Sequence, residues 1–330
     1  MRAIVPVAGI GTRLRPHTHT QAKVLLQVAG KEILGHILDE LVELGIESVT
    51  FIVGYLGDRI REYVDSTYRI KATYVNQEET KGLGHAIWLA KDRHLDDDEV
   101  LIILGDTIFK ADFTSIFNKR ESYIGVKEVS DPRRFGIVEL EKGVVRRVVE
   151  KPEQPKTNLA IVGIYMIRNP RLLFQSLDEI VAKNITTKGE YQLTDALQLM
   201  LEKGEKMKTF MIDGWYDCGK PETLLQTNRE LLTLKFASVA QEYNQFKGSI
   251  INSPVSIAPT ARIENSIVGP YVTVAEGAVI QTSIVTNAII SEQATVENII
   301  IENSIISDNA KAIGHLYTLN VGDSSEINFA

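Results

Sequence analysis

The chain has 330 residues and a net charge of −7, a length that suits two domains and a charge that argues against a general nucleic-acid surface. Its single cysteine, Cys218, excludes an intrachain disulfide, and we find no signal-peptide pattern and no apolar run of the roughly 20 residues that cross a bilayer. We therefore expect a cytoplasmic protein that binds neither nucleic acid nor membrane.

Residues 1–235 alternate between patterns typical of strands and of helices. Three short apolar runs are typical of buried strands: residues 3–8, 48–53 and 100–104. Apolar residues at helical spacing over 33–42, followed by Gly45, predict a helix. This alternation predicts the α/β class, with a doubly wound, mostly parallel, Rossmann-like sheet. In such sheets ligands gather at the carboxyl ends of strands, where Gly9 and Asp106 fall.

The pattern changes from about residue 250, where helical spacing disappears. Aliphatic or small residues recur every six positions in two sets: Ile251, Ile257 and Ile263, then Ala288, Ala294, Ile300, Ile306 and Ala312. A six-residue period is typical of a β-helix, in which stacked turns bury the inward residue of each hexapeptide. We predict a β-helix over 250–330, joined to the first domain by a connection over 236–249. An ordinary antiparallel β-domain is the alternative.

A glycine-rich loop, residues 9–14 (GIGTRL), follows the first predicted strand. Glycines let backbone N–H groups approach a phosphate closely. The segment does not match the dinucleotide-binding fingerprint, because Leu14 stands at the position of its third glycine. It does not match the P-loop either, because the Gly-Lys-Ser/Thr ending is missing. Arg13 and Lys23 instead place two fixed positive charges beside the turn, which suits a triphosphate. Taken alone, the segment is also compatible with a tight turn flanked by surface cations.

Three acidic residues are candidate ligand contacts. Asp106 follows an apolar strand, where a rigid sheet can hold a carboxylate for Mg²⁺. Asp217 precedes a glycine turn and a helix predicted to begin near Pro221. An alternative role for either aspartate is that of a turn residue or helix cap. Glu150 and Lys151 end a further predicted strand with adjacent opposite charges. The alternative to a ligand contact is that the two side chains form an exposed salt bridge.

In their order along the chain, these segments resemble the nucleotidylyltransferase family that activates sugar 1-phosphates. Its signature, G-x-G-T-R-L-x-P-x-T followed by P-K, stands here as residues 9–14 with Pro16, Thr18 and Lys23. The resemblance continues through Gln77 and residues 82–86 (GLGHA), 105–106 (GD), 135–138 (FGIV), 150–152 (EKP), 162–165 (VGIY), 189–195 (GEYQLTD) and 217–222 (DCGKPE). The resemblance covers about residues 1–235. It is strongest to the long form of glucose-1-phosphate thymidylyltransferase, which carries a left-handed β-helix after its catalytic domain.

The resemblance implies a role for each matching position. Arg13 and Lys23 are implied as catalytic residues at the triphosphate. The implied nucleotide contacts are Gly9, Gly11, Gln77 and Gly82. The implied sugar-phosphate contacts are Gly136, Glu150, Lys151, Val162 and Glu190. Asp106 and Asp217 are the implied ligands of Mg²⁺, the expected cofactor.

The implied reaction is an attack by a phosphate oxygen of a sugar 1-phosphate on the α-phosphorus of a nucleoside triphosphate. Pyrophosphate leaves in line, and because the nucleophile is already an anion, no general base is required. Mg²⁺ and the cationic side chains offset the repulsion between two polyanions. The expected substrates are dTTP, with UTP accepted, and glucose 1-phosphate. We also expect a homo-oligomer, because stacked coils leave open ends and flat faces that need covering.

Three positions depart from the family's pattern. Gln21 and Ala22 stand where proline usually precedes the lysine, Thr107 where asparagine usually follows the first aspartate, and Cys218 where threonine usually follows the second. Thr107 puts one sugar or ribose contact in doubt. Cys218 is expected to be either a buried small residue or a redox-sensitive thiol.

Three other functions remain open at this point. The first is a UTP- or GTP-dependent nucleotidylyltransferase, since residues 82–85 (GLGH) also resemble uridylyltransferases and the guanylyltransferases share the glycine-rich loop. The second is a catalytically silent regulatory relative, which should have lost Arg13, Lys23 or an aspartate, whereas all are present. The third is an added acyltransferase activity of the β-helix. It usually needs a histidine base within the coils, and residues 250–310 contain none.

Overall fold

The computed structural model describes residues 1–117, 119–236, 246, 248–315, 321, 322, 324 and 326. Contacts divide the chain into two units, residues 1–27 with 31–224 and residues 28–30 with 225–330. The predicted connection over 236–249 lies largely outside the described residues, as does much of the predicted β-helix beyond residue 315. The domain boundaries at 235 and 250 therefore stay predictions.

Strands and helices alternate before the β-helix. The strands are β1 (Arg2–Pro6), β2 (Gln27–Val28), β3 (Lys31–Glu32), β4 (Ser48–Val53), β5 (Lys71–Asn76), β6 (Val100–Ile103), β7 (Thr107–Lys110), β8 (Ser122–Glu128), β9 (Gly136–Glu141), β10 (Val144–Glu150), β11 (Leu159–Ile167), β12 (Met207–Met211) and β13 (Gly214–Asp217). The helices are α1 (Ile33–Glu43), α2 (Gly57–Thr67), α3 (Leu83–Trp88), α4 (Lys91–His94), α5 (Thr114–Phe117), α6 (Pro170–Ala182), α7 (Leu193–Glu202) and α8 (Pro221–Phe236). Short 3-10 helices lie at Thr12–Leu14, His17–His19, Lys23–Leu25 and Pro132–Arg134.

The central sheet of the first unit has nine strands, with the order β10-β9-β11-β6-β1-β4-β5, while β8 pairs with β11 and β12. Strands β6, β1, β4 and β5 are parallel, and β11 joins β6 in the antiparallel direction. The three strands predicted from apolar runs are β1, β4 and β6, so their parallel arrangement is confirmed. The sheet is mixed as a whole, because β8, β9 and β11 pair antiparallel.

Helical periodicity explains how α1 packs. Ile33, Leu34, Ile37, Leu38 and Leu41 are all buried, and their spacing places them on one face of the helix. The predicted stop follows at once, since Gly45 adopts a left-handed φ of +73°. A hydrophobic core forms between helices α3, α6 and α7 and the sheet. These helices thereby support the strand ends that carry the candidate site.

A two-stranded ribbon brings the two candidate metal ligands together. Asp106 lies between β6 and β7, and β7 pairs with β13 in the antiparallel direction. The register places Asp217 opposite Thr107. The sheet thereby positions Asp217 beside the residue that follows Asp106.

The second unit contains stacked parallel coils. Their strands are β14 (Ile250–Ile251), β15 (Val255–Ile257), β16 (Arg262–Glu264), β17 (Ile267–Val268), β18 (Val272–Val274), β19 (Val279–Gln281), β20 (Ile284–Ile290), β21 (Thr295–Glu297), β22 (Ile300–Ile306) and β23 (Lys311–Ile313). Ile251, Val268, Val285 and Ile301 stand in register, so successive coils advance by 17, 17 and 16 residues. Each coil is therefore shorter than three full hexapeptides.

This shorter coil corrects one prediction. Ile300 was predicted to point inward, but its side chain is 75% exposed, and its neighbour Ile301 packs against the core of the coils. Some sides of a coil contain five residues instead of six. A strict six-residue count therefore misses the inward position by one residue there. Ala288 and Ala294 are fully buried as predicted. Across the described residues, no helix has the length and apolar character needed to span a bilayer.

Candidate functional site

The loop after β1 turns tightly at Gly11, whose φ is +70°. Its carbonyl accepts hydrogen bonds from Thr18 Oγ1 at 2.8 Å and from the Leu14 N–H at 2.9 Å. A methyl group on Gly11 would lie 2.9 Å from the Cβ of Lys23, so glycine is required for this packing. A methyl group on Gly9, by contrast, would meet no protein atom within 4 Å. The fold thus leaves free space at Gly9.

Lys23 and Asp106 form an ion pair, with Nζ 2.6 Å from Oδ2. The lysine side chain is only 9% exposed, whereas that of Asp106 is 42% exposed. Burial acts to raise the pKa of the Asp106 carboxyl, but the charge and hydrogen bond of Lys23 outweigh it and hold that pKa below its usual range. Asp106 is therefore an anion with one oxygen engaged by Lys23.

Arg13 and Asp217 converge on Gly219. The Gly219 N–H donates to Asp217 Oδ1 at 2.9 Å. A methyl group on Gly219 would lie 2.8 Å from that oxygen and 3.2 Å from Arg13 Nη2. The arginine of the loop after β1 and the aspartate at the end of β13 thus face the same space. Cys218, next to them, is fully buried, as one of its two sequence interpretations required.

Glu150 is held in place by two neighbours. Its Oε2 accepts a hydrogen bond from Thr194 Oγ1 at 3.0 Å, and its Oε1 lies 3.0 Å from Lys151 Nζ. A methyl group on Gly136 would lie 3.1 Å from Oε2 and 2.9 Å from Thr194 Cγ2. Burial, reinforced by Glu150, raises the pKa of the neighbouring Tyr165 hydroxyl, which stays protonated. The salt bridge given as the alternative for Glu150 and Lys151 is thus present, and both residues also line a cavity.

All thirteen predicted site residues line at least one of two cavities in the first unit. A cavity of about 510 Å³ is lined by Gly9, Gly11, Arg13, Lys23, Gln77, Gly82, Asp106 and Glu190. A cavity of about 430 Å³ is lined by Arg13, Asp106, Gly136, Glu150, Lys151, Val162, Glu190 and Asp217. We call them the nucleotide cavity and the sugar cavity after the contacts implied for their linings. Arg13, Asp106 and Glu190 line both, so the two cavities adjoin.

The carboxylates fit Mg²⁺. This ion prefers oxygen ligands and is usually bound through one or two carboxylates together with substrate phosphates. Asp106 and Asp217 provide two carboxylates on one cavity wall. In the part of the chain that the structure describes, no group of three acidic, histidine or cysteine side chains forms a metal site. The remaining ligands would therefore have to come from substrate phosphates and water, and Mg²⁺ stays a prediction.

Comparison with known sequences decides the family. The pattern of the family described as Nucleotidyl transferase matches residues 2–233. This chain is a member of the nucleotidyl transferase family. A second pattern, described as GlmU-like, C-terminal hexapeptide, matches residues 235–319. Together with the parallel coils, it confirms that this nucleotidyl transferase has an α/β domain followed by a left-handed β-helix.

Similar proteins bear out the resemblance. A low-salt glycan biosynthesis nucleotidyltransferase, Agl11, of Haloferax volcanii is 33% identical over 319 residues, with 88% of this chain and 87% of the relative covered. A glucose-1-phosphate thymidylyltransferase of Streptomyces griseus is 31% identical over 314 residues, with the same coverage. The crystal structure of a UDP-glucose pyrophosphorylase complexed with UDP-glucose superposes with a TM-score of 0.61 at 26% identity, covering 71% of this chain and 98% of that one.

The structure adds side chains to which the sequence assigned no role. Thr194 fixes Glu150, and Trp215 lines the sugar cavity with its ring packed against Phe135. Arg134 lines the same cavity. Thr194 and Trp215 both fall within or next to segments that carry the family resemblance. That position was the only feature of the sequence that could have indicated their place in the site. His85 contacts Gln77 from outside both cavities, and the segment over 82–86 was its only signal.

Proposed function

We propose that this protein transfers a nucleotidyl group from a nucleoside triphosphate to a sugar 1-phosphate and releases pyrophosphate. The observation that carries the proposal is the pair of adjoining cavities, with Arg13 and Asp106 lining both. A reaction between two bound substrates needs two spaces that meet where the bond forms. The thymidylyltransferase and UDP-glucose pyrophosphorylase among the similar proteins support this class of reaction.

The proposed step is a single displacement at phosphorus. A phosphate oxygen of the sugar 1-phosphate forms a bond to the α-phosphorus, and the bond from that phosphorus to the oxygen bridging to the β-phosphate breaks. The electron pair leaves with pyrophosphate. The attacking oxygen is already an anion, so none of the residues has to remove a proton.

The chain's own side chains position the two anions. Arg13 lies where the cavities adjoin and stabilises negative charge as it moves onto pyrophosphate. Lys23 is held at the same boundary by Asp106. Lys151 binds the phosphate of the sugar, while Glu150, fixed by Thr194, accepts hydrogen bonds from sugar hydroxyl groups. Each charge is in place before the substrates arrive. The site therefore does not have to rearrange its charged groups during the reaction.

Asp106 and Asp217 would hold Mg²⁺. When bound, the ion neutralises phosphate charge and orients the triphosphate for in-line displacement. Asp106 is kept ionised by Lys23, and Asp217 Oδ1 is oriented by the Gly219 N–H. Carboxylate oxygens are the ligands that a hard cation such as Mg²⁺ prefers.

The preferred substrates are dTTP, with UTP accepted, and glucose 1-phosphate. Gln77 lines the nucleotide cavity and is the candidate base contact. Thymine and uracil share the edge that such a side chain can read. The nucleotides differ elsewhere, by the methyl group of thymine and the absent 2′-hydroxyl, and a methyl group discriminates by about 1–3 kcal/mol. The thymidylyltransferase among the relatives supports dTTP and glucose 1-phosphate. Homo-oligomer formation through the β-helix stays a prediction.

A matrix of triphosphates against sugar 1-phosphates, read as pyrophosphate release, tests this proposal. We expect turnover with dTTP and UTP and with glucose 1-phosphate, and much less with GTP. A clear preference for GTP would move the protein to the guanylyltransferases. Absence of turnover with every pair would instead favour the silent regulatory relative.

A further inference from the structure

The buried side chain of Gln77 borders the nucleotide cavity. Gln77 follows the last residue of β5, is 6% exposed and lines this cavity. Its Nε2 lies 3.1 Å from Nδ1 of His85 and 3.5 Å from the carbonyl oxygen of Gly82. Both N–H groups of the amide therefore already have partners in the protein.

The carbonyl of Gly82 determines the orientation of the amide oxygen and nitrogen of Gln77. A backbone carbonyl can only accept hydrogen bonds, so the NH₂ group of Gln77 must face it. The same NH₂ group then donates to His85, whose Nδ1 serves as the acceptor. At 3.5 Å the contact with Gly82 is long, which leaves the shorter bond to His85 as the stronger restraint. The carbonyl Oε1 of Gln77 is the group that remains for a ligand.

His85 itself is held by its neighbours. It lies in the first turn of α3, with its ring stacked on Trp88 at a centroid distance of 5.7 Å and tilted against Tyr191 at 6.3 Å. It lines neither the nucleotide cavity nor the sugar cavity. Its effect on a substrate must therefore pass through Gln77.

We propose that His85 is a positioning residue that makes Gln77 a hydrogen-bond acceptor, and so selects bases that carry an imino N–H. The inference rests on the proposed function and narrows its choice of nucleotide. Thymine and uracil carry a donor at N3, which matches Oε1. Cytosine has an unprotonated acceptor at N3, which would face the oxygen of Gln77 and be rejected. Selection against CTP is thus assigned to a residue that does not touch the base.

The charge state of His85 is part of this selection. Burial and the positive charge of Lys81 lower the pKa of His85, while Glu79 raises it, and the net pKa lies below the ordinary value of 6.5. Lys81 and Glu79 are the charged groups that act on the ring, and Tyr191 is its titratable neighbour. The imidazole is therefore neutral at neutral pH. Once protonated, Nδ1 becomes a donor, and Gln77 must turn its oxygen toward it and its NH₂ group toward the base.

The test uses the full chain and three His85 forms. His85→Phe keeps a flat ring but removes the acceptor, and His85→Gln offers a carbonyl acceptor that does not titrate. Trp88→Phe is the matched control, since Trp88 packs on His85 and has no contact with Gln77 among those described. Rates of pyrophosphate release are measured with UTP, dTTP and CTP at saturating glucose 1-phosphate. The two pH values are about 8 and about 4.5, the lower one well below the pKa of an ordinary histidine because the pKa of His85 is lowered.

We expect His85→Phe to raise the KM for UTP and dTTP about tenfold with kcat little changed, and to lower the UTP-to-CTP ratio of kcat/KM by about tenfold, as for one lost hydrogen bond. His85→Gln should restore the ratio, and Trp88→Phe should leave it unchanged. The ratio should fall at the lower pH in the natural protein and not in His85→Gln.

An unchanged UTP-to-CTP ratio in His85→Phe, in a protein that still turns over UTP, would overturn this inference alone. If His85→Phe does not fold, an equal pH dependence of the ratio in His85→Gln and the natural protein would overturn it. If the natural protein releases no pyrophosphate with any triphosphate, the proposed function fails, and the inference fails with it.

Discussion

Replacing each candidate metal ligand by its amide separates its part in turnover from its part in stability. Asp106→Asn and Asp217→Asn remove one negative charge each with almost no change in shape. Loss of a metal-ligand charge costs the transition state several kcal/mol. We therefore expect both variants to lose more than about a hundredfold in kcat, which corresponds to about 3 kcal/mol.

Asp106→Asn should also lower the stability of the fold. In Asp106→Asn, Lys23 loses its ion-pair partner at 2.6 Å while its side chain is only 9% exposed. Breaking a fully buried pair costs about 3–5 kcal/mol and a surface pair about 0–1 kcal/mol. Because Asp106 is 42% exposed, we expect an intermediate cost of about 1–2 kcal/mol, or roughly 2–4 °C of Tm per kcal/mol. In Asp217→Asn the amide oxygen can still accept the Gly219 N–H.

Pyrophosphate release over a Mg²⁺ titration and thermal unfolding are the two measurements. Asp213→Asn is the matched control, because Asp213 is exposed, lies just before β13 and lines neither the nucleotide cavity nor the sugar cavity. It should keep normal turnover and Tm. Near-normal turnover of Asp106→Asn and Asp217→Asn at low Mg²⁺ would refute the metal assignment. An unchanged Tm in Asp106→Asn would refute the role given to the Lys23 pair.

Three further predictions concern other residues. Gly9→Ala should leave Tm unchanged, since the added methyl meets no protein atom within 4 Å, but raise the KM for the triphosphate; an unchanged KM would contradict a phosphate at Gly9. Arg13→Ala should lower kcat and Lys151→Ala should raise the KM for the sugar 1-phosphate, and steady-state kinetics showing the reverse would exchange the two ends of the site. Burial outweighs the charge of Asp97 and lowers the pKa of His94, so the unfolded chain binds more protons below about pH 6.5 and stability falls there. Urea unfolding at several pH values should show this slope, and His94→Gln should reduce it, while the lowered pKa of His85 keeps a part of it.

Local patterns in the sequence predict the elements that carry the site. The apolar runs that become β1, β4 and β6, and the periodicity that becomes α1, depend on residues close together in the chain. Ligand binding at the carboxyl ends of parallel strands then explains why the predicted positions line adjoining cavities. Their roles as ligand contacts stay predictions.

Contacts between distant segments could not be predicted in the same way. Lys23 and Asp106 are 83 residues apart, and nothing in either local pattern indicates that one neutralises the other. The error at Ile300 has a different cause, since a count of six cannot reveal a coil that closes in 16 or 17 residues. The engagement of both Gln77 N–H groups likewise depends on how α3 packs beside the end of β5.

The most direct test of the account follows the phosphorus atoms of the triphosphate. The protein is supplied with glucose 1-phosphate and dTTP radiolabelled at either the α- or the γ-phosphorus, and the products are separated. Nucleotidyl transfer predicts the α-label in a sugar nucleotide and the γ-label in pyrophosphate. The γ-label on the sugar, or in inorganic phosphate alone, would contradict displacement at the α-phosphorus.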